Sequence, residues 1–248
     1  MMRITLVLVF AGISGLAAAE VPTYLWAKIS LPQDAVAALP ERAQTAGIPI
    51  AVAGEAGSLS LVGAKTEEEL LSLNTYLFLD GPFFLLGISG ANGLAFLRGE
   101  QTEAEIICFG DPEPLSHMVS VLDNLGLLSP GTEVEFTERT LSLKIPVPPK
   151  GVKLDPVLWG LLVHPDWFAF ARDYGIERVG LRVRVVAEVE GMLPEEYEPY
   201  IQSSSDGLVE LLLPIPLLDD LAQEEAVAKV RLPHKPHPLP PTPVKEEG

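Results

Sequence analysis

The chain has 248 residues, 48% of them hydrophobic and 21% charged, with a formal net charge of −17. Such a composition supplies a globular core for one large or two ordinary domains. It argues against a nucleic-acid partner, because phosphate binding needs clustered Lys and Arg, and the 17 basic residues form no dense patch.

The N-terminus reads as a targeting segment. Met1-Met2-Arg3 is a short positive region, Ile4 to Leu16 is apolar, and Ala17-Ala18-Ala19 offers a small-residue cleavage site. The apolar run is shorter than the roughly 20 residues a transmembrane helix needs. We therefore expect a signal peptide over 1–19, a periplasmic or secreted protein, and no stable membrane span once the signal is cleaved. Cys108 is the single cysteine. No intramolecular disulfide or Cys-x-x-Cys site can form, and the apolar neighbours Ile106, Ile107 and Phe109 predict a buried, inert thiol.

After the leader, Tyr24 to Ile29 reads as a strand. Ser30-Leu31-Pro32-Gln33 then reads as a capping box opening a helix over Asp34–Ala46. Pro40 is expected to kink that helix and Gly47 to stop it. Ile48 to Ala53 follows as a second strand, and the order implies a parallel strand–helix–strand unit. Thr66-Glu67-Glu68-Glu69 is a second capping box, its carboxylates suited to the positive end of a helix. Tyr76 to Leu79 is a short strand, after which Asp80 is expected to cap a turn over 82–86. Leu94–Leu97 and Glu103–Phe109 form an antiparallel hairpin. A helix then carries Leu115, Met118, Val119, Leu122 and Leu125 and ends at Gly126.

These segments together resemble the TrbC-like proteins, thioredoxin-like components of F-type conjugative pilus assembly. The residues carrying the resemblance are Ile29-Ser30-Leu31-Pro32, the stretch Ala46 to Gly54, Asp80 with Pro82-Phe83-Phe84 and Gly87-Ile88, and Gly110-Asp111. They lie within about residues 23–126. The resemblance implies an α/β, thioredoxin-like domain in which Ser30 and Gln33 stand where redox relatives carry cysteines. Ala91-Asn92-Gly93 departs from the Val-Pro peptide that the family often has before the hairpin. The implied site is a degenerate active-site turn, Ser30, Leu31, Pro32 and Gln33, acting as a docking groove without catalysis, metal or cofactor.

The second half has no recognised counterpart and reads as an α+β domain. Leu127 to Gly131 marks a boundary, giving domains over 20–128 and 129–232 and a Pro-rich, disordered tail over 233–248. Strands are expected over 132–136 and 140–147 around a turn at 137–139. Helices are expected over 154–163, from Asp166 to Gly175, over 194–201 and over 217–225. Further strands are expected over 179–190, 208–213 and 226–232, with a turn at 203–207. In the strand from Val179, Leu181, Val183 and Val185 face inward, while Arg182, Arg184, Glu188 and Glu190 form a mixed solvated face.

Chemistry-bearing groups are sparse. His117 does not share a helix face with Asp111, and no Gly-x-Ser-x-Gly elbow accompanies Ser120. His164 and Asp166 read as a helix start near Asp155, and His234 with His237 supplies only two metal ligands. The expectation is an exported assembly or interaction protein of a secretion or conjugation-type envelope machine, docking other envelope proteins. The alternatives are an exported hydrolase-type enzyme with its site around His164, Asp166 and Arg182, or a lineage-specific envelope binding protein.

Overall fold

A computed structural model of the chain describes residues 22–129, 132, 134–142 and 144–233. The expected signal peptide and the Pro-rich tail from 234 onward, with His234 and His237, lie outside the described residues.

The first part of the chain contains β1 (Thr23–Ser30), α1 (Leu39–Thr45), β2 (Ile50–Ala53), β3 (Leu59–Val62), α2 (Glu67–Leu71) and β4 (Thr75–Asp80). It continues with β5 (Phe83–Ser89), β6 (Gly93–Glu100), β7 (Glu103–Gly110), α3 (Glu113–Asn124) and β8 (Thr137–Thr140). These eight strands form one sheet in the order β3-β2-β4-β5-β6-β7-β1-β8. Only β2 and β4 run parallel; the other neighbours are antiparallel. The second part contains α4 (Pro156–Val163), α5 (Trp167–Asp173), β9 (Arg178–Val179), β10 (Arg182–Val189), β11 (Ile201–Ser205), β12 (Leu208–Pro214), α6 (Leu218–Gln223) and β13 (Val227–Arg231). Its antiparallel sheet has the order β11-β12-β10-β13, with β9 also against β10. The chain is therefore mixed α/β, with one large mixed sheet and a smaller second one.

Several elements depart from the sequence reading. The two early strands were expected side by side and parallel, yet β1 lies between β7 and β8 while β2 lies between β3 and β4. The connection between them crosses one face of the sheet, burying Leu31, Val36, Leu39, Ala43 and Ile48 on the way. The expected helix over 34–46 forms only from Leu39. Pro40 sits in its first turn, where a fixed φ and a missing N–H are tolerated, so it starts the helix instead of kinking it. Asp34 is in the left-handed region at φ 61°, which interrupts any helix there. Ser30 consequently ends β1 opposite Glu103, and the position preceding α1 is Ala38, with no side-chain cap. The Ser30/Gln33 capping box does not form.

At α2 the expected cap forms and its reciprocal half shifts by one residue: Thr66 Oγ1 accepts the Glu69 N–H at 3.1 Å, while the Glu69 carboxylate accepts the N–H of Lys65, just before the cap, at 2.7 Å. The capped turn expected over 82–86 falls largely in strand β5, and 137–139, expected as a turn, lie in β8. The turn expected over 203–207 contracts to Asp206-Gly207, both at positive φ (50° and 77°), the geometry of a tight two-residue hairpin.

The large sheet separates two cores. On one face, Ala27, Leu77, Phe84, Leu86, Leu97 and Ile106 meet the 31–48 segment and α3. On the other, Phe78, Phe83, Leu85, Phe96 and Ile107 pack against residues of α4, α5, α6 and the second sheet. Phe78 and Phe168 are in edge contact at 5.1 Å between centroids. The expected boundary near 128 is not a gap in packing. Leu127 and Leu128 are buried, Val134 and Phe136 join the first core, and β8 extends the first sheet.

Candidate functional site

Three arginines join the second part of the chain to the first, two of them at the large sheet and one at α2. Arg98 on β6 grips the Glu105 carboxylate through Nε at 3.2 Å and Nη2 at 3.0 Å. Its Nη1 donates to the His164 carbonyl at 2.9 Å, and the guanidinium lies 4.4 Å from the Trp167 ring centroid. Burial pulls the Arg98 pKa down while Glu105 pushes it up. Arg178 pairs with Glu67, donates to the Gly180 carbonyl at 3.1 Å and lies over Phe168 at 4.1 Å. Arg182 holds both oxygens of Asp80 and donates to the Gly54 carbonyl at 3.1 Å. The reading of Arg182 as part of a solvated face is thus corrected: it is buried, and its partner is the residue expected to cap a turn. Arg184 and Glu188 do stay at the surface side, paired with Glu210 and Arg231.

Toward β1 the second part covers the sheet face only partly, leaving Tyr24 and Trp26 half-buried. Alternation along β1 directs Ala27 and Ile29 into one core and Tyr24, Trp26 and Lys28 to the opposite face. A cleft of about 480 Å³ lies over Trp26, Lys28, Arg98 and Arg139, with Leu162 and Pro165 among its walls. A second cleft of about 540 Å³ is lined by Phe109, Lys144, His164, Phe170 and Tyr174. Tyr24, Val163 and Pro165 line both, so the two clefts adjoin and are taken together as the groove over β1. The Arg139 guanidinium stacks 3.4 Å from the Trp26 ring centroid, and Tyr24 packs on Phe109 at 5.5 Å. This groove was not read from the sequence. The available signal was Tyr24-x-Trp26-x-Lys28, two aromatics and a cation on the same side of a strand.

The expected site residues divide. Ser30, Leu31, Pro32 and Gln33 lie at the far end of β1, line neither cleft, and Leu31 is buried with its N–H on the Thr102 carbonyl at 2.7 Å. His164 and Asp166 both line the second cleft, while Arg182 is held by Asp80 and lines neither. His164 Nδ1 lies 2.6 Å from the Asp166 carbonyl and 3.1 Å from its N–H. Asp166 Oδ1 accepts the Ala169 N–H at 2.9 Å, the expected cap of α5. Burial lowers the His164 pKa against the opposing pull of Asp166, and raises that of Asp166. The imidazole is therefore neutral near pH 7. Asp155 caps α4 by accepting the Val157 N–H at 2.8 Å. His117 is exposed on α3, and Cys108 is buried, its thiol pushed up to about 11 by burial. Among the described residues no group of three or more His, Cys, Asp and Glu could hold a metal ion, and no helix is long and apolar enough to cross a membrane.

Comparison with protein-family models, with curated proteins and with solved structures finds no match to this chain.

Proposed function

We propose that the chain is an exported, non-catalytic docking component of a secretion or conjugation-type envelope machine, and that its partner sits in the groove over β1. The observation carrying this reading is the Arg139–Trp26 stack beside Tyr24 and Phe109 on a partly covered sheet face. Arg, Trp and Tyr in concave settings are the residues whose removal most weakens protein interfaces. Export and the type of machine rest on the leader-like residues 1–19 and on the likeness to TrbC-like proteins over 23–126. That likeness also carries the thioredoxin-like reading of the first domain. The parallel β2/β4 pair, the antiparallel strands after it and the closing helix α3 agree with it, while the place of β1 does not. Ser30 and Gln33, exposed at the other end of β1, are a second docking surface in this proposal.

Tagged full-length protein recovered from its source, beside a Trp26→Ala variant, is the test. A defined envelope partner retained by the first and lost by the second is the expected result. Equal recovery by both overturns the groove as the docking site, and insulin-disulfide turnover overturns the non-catalytic assignment.

A second reading is favoured by His164 and Asp166 lining the same cleft: an exported hydrolase using the neutral imidazole as a base. Ester or amide turnover that disappears in His164→Ala, with folding intact, would support it over docking.

A further inference from the structure

One edge of the large sheet, opposite β3, is β8. All four of its residues are exposed, and none of its backbone groups bonds beyond the ladder with β1 among the described residues. The phase of that ladder follows from one bond just outside it, Leu141 N–H to the Pro22 carbonyl at 2.8 Å. Backbone groups alternate sides along a strand, so residues 137, 139 and 141 turn theirs toward β1. Glu138 and Thr140 turn their N–H and C=O outward. The register Tyr24↔Arg139 also puts the Arg139 side chain on the groove face, over Trp26.

Charge separates this edge from the rest of an acidic protein. Within the groove, Lys28 pairs with Glu103 and Arg98 with Glu105. Arg139 and Lys144 have no carboxylate within salt-bridge distance among the described residues. Of the groove carboxylates, Asp166 caps α5 and Asp173 pairs with Arg172, while Glu100 lies on β6, three strands away from β8. A second copy is a poor occupant. Two-fold antiparallel pairing of β8 with itself about either middle residue sets Glu138 or Arg139 against its own copy, and like charges directly opposite are destabilising; axes at Thr137 or Thr140 avoid this but overlap fewer residues of the four-residue strand.

We propose that the outer edge of β8 accepts a ninth strand from another protein, an extended segment with a carboxylate side chain opposite Arg139. Its backbone bonds to the outward N–H and C=O of Glu138 and Thr140. Apolar side chains two positions to either side of the carboxylate reach the groove, and strand addition of this kind is a common mode of peptide recognition. The proposal rests on the docking reading and specifies its partner.

Selection of a phage-displayed library of random heptapeptides on the full-length chain tests it. Enriched peptides should carry Asp or Glu with apolar residues at two-residue spacing, and Arg139→Glu should turn the preference to Lys or Arg. A synthesised winner should bind Glu138→Pro at least ~10-fold more weakly than Glu138→Ala, because Pro removes an outward donor and spares the β1 ladder. Should Glu138→Pro lose cooperative unfolding, Thr140→Pro serves instead, its N–H also facing outward. Equal binding by the Pro and Ala variants overturns strand addition; if Trp26→Ala still abolishes that binding, docking in the groove survives by another geometry. Failure to enrich any peptide overturns the strand proposal. Dimerisation of the wild-type chain that Glu138→Pro abolishes also overturns it, by making a second copy the occupant.

Discussion

Arg182 and Asp80, 102 positions apart, meet through two contacts, Nε to Oδ2 at 2.8 Å and Nη2 to Oδ1 at 2.6 Å. Both side chains are almost wholly shielded, at 10% and 3% exposure. Asp80 in turn holds the Arg182 pKa above its ordinary value. Removing one partner of such a pair leaves the other charge buried and unpaired. Asp80→Ala is therefore expected to lower the unfolding free energy by about 3–5 kcal/mol. Replacing both residues at once, Asp80→Leu with Arg182→Met, should cost markedly less than Asp80→Ala. Urea denaturation of the three proteins checks this. A loss under about 1 kcal/mol for Asp80→Ala would mean the pair is solvated, like ordinary surface bridges.

The two parts of the chain share a core, so they should unfold together. Phe78 and Phe96 of the large sheet are buried against α4, α5 and the second sheet, and Arg98 ties β6 to the His164 carbonyl. Calorimetry should give one transition with equal calorimetric and van't Hoff enthalpies. Arg98→Met should lower the unfolding free energy by about 2–4 kcal/mol, since charge-assisted bonds to Glu105 and His164 are lost together. Two resolved transitions would overturn the shared core and favour separate domains on either side of 128.

What the sequence made legible was local. The Thr66 cap, the Asp166 cap and the stop at Gly126 depend on residues within four positions of one another, and they stand in the structure as read. The apolar rhythm of Leu181, Val183 and Val185 likewise identified an inward-facing strand. Relationships set by distant pairing left no such trace. Nothing near Tyr24 records that its strand lies against β7, and nothing near Glu67 or Asp80 announces Arg178 or Arg182. Thr137-Glu138-Arg139-Thr140 has no apolar alternation, because an exposed edge strand buries neither face; residues 137–139 read as a turn for that reason. The groove was missed for the same cause, its floor and rim coming from β1, β6, β7 and β8 and its walls from the segment joining α4 to α5.

His164 makes stability depend on pH in a stated direction. Burial lowers its pKa below the ordinary 6.5. As pH falls through 6.5 the unfolded chain takes up this proton before the folded one, so folding stability declines from there down to the folded value. Asp166 acts oppositely and lower on the scale: its raised pKa makes the folded state bind the proton more readily above 3.8, a gain as pH falls. Between about pH 7 and 5.5 a decline as pH falls is assigned to the histidine, because ordinary Asp and Glu are mostly ionised in that range and the raised Asp166 contributes with the opposite sign. His164→Asn is expected to flatten the decline in denaturation midpoint over this window. An unchanged slope in the variant would show that other groups carry it.

Cys108 offers a direct reading of whether the core under β7 opens. The residue pairs across the ladder with Ala95 and Leu25, and its Sγ lies 3.8 Å from the Asp111 carbonyl. Burial pushes the thiol from 9.0 up to about 11. At pH 8 the thiolate fraction is then roughly 100-fold smaller than in the unfolded chain, before any steric protection is counted. The higher-pKa thiolate is the stronger nucleophile, which offsets part of that factor, so a chromogenic disulfide reagent at pH 8 should modify native protein more than ~10-fold more slowly than protein in concentrated urea, where the single thiol reacts fully. Raising the pH to 9 should speed the native reaction about tenfold if attack occurs on the folded molecule, since the thiolate population rises by that factor. A native rate within tenfold of the denatured one would place Cys108 in an accessible setting and break the packing of β7 against β6 and β1.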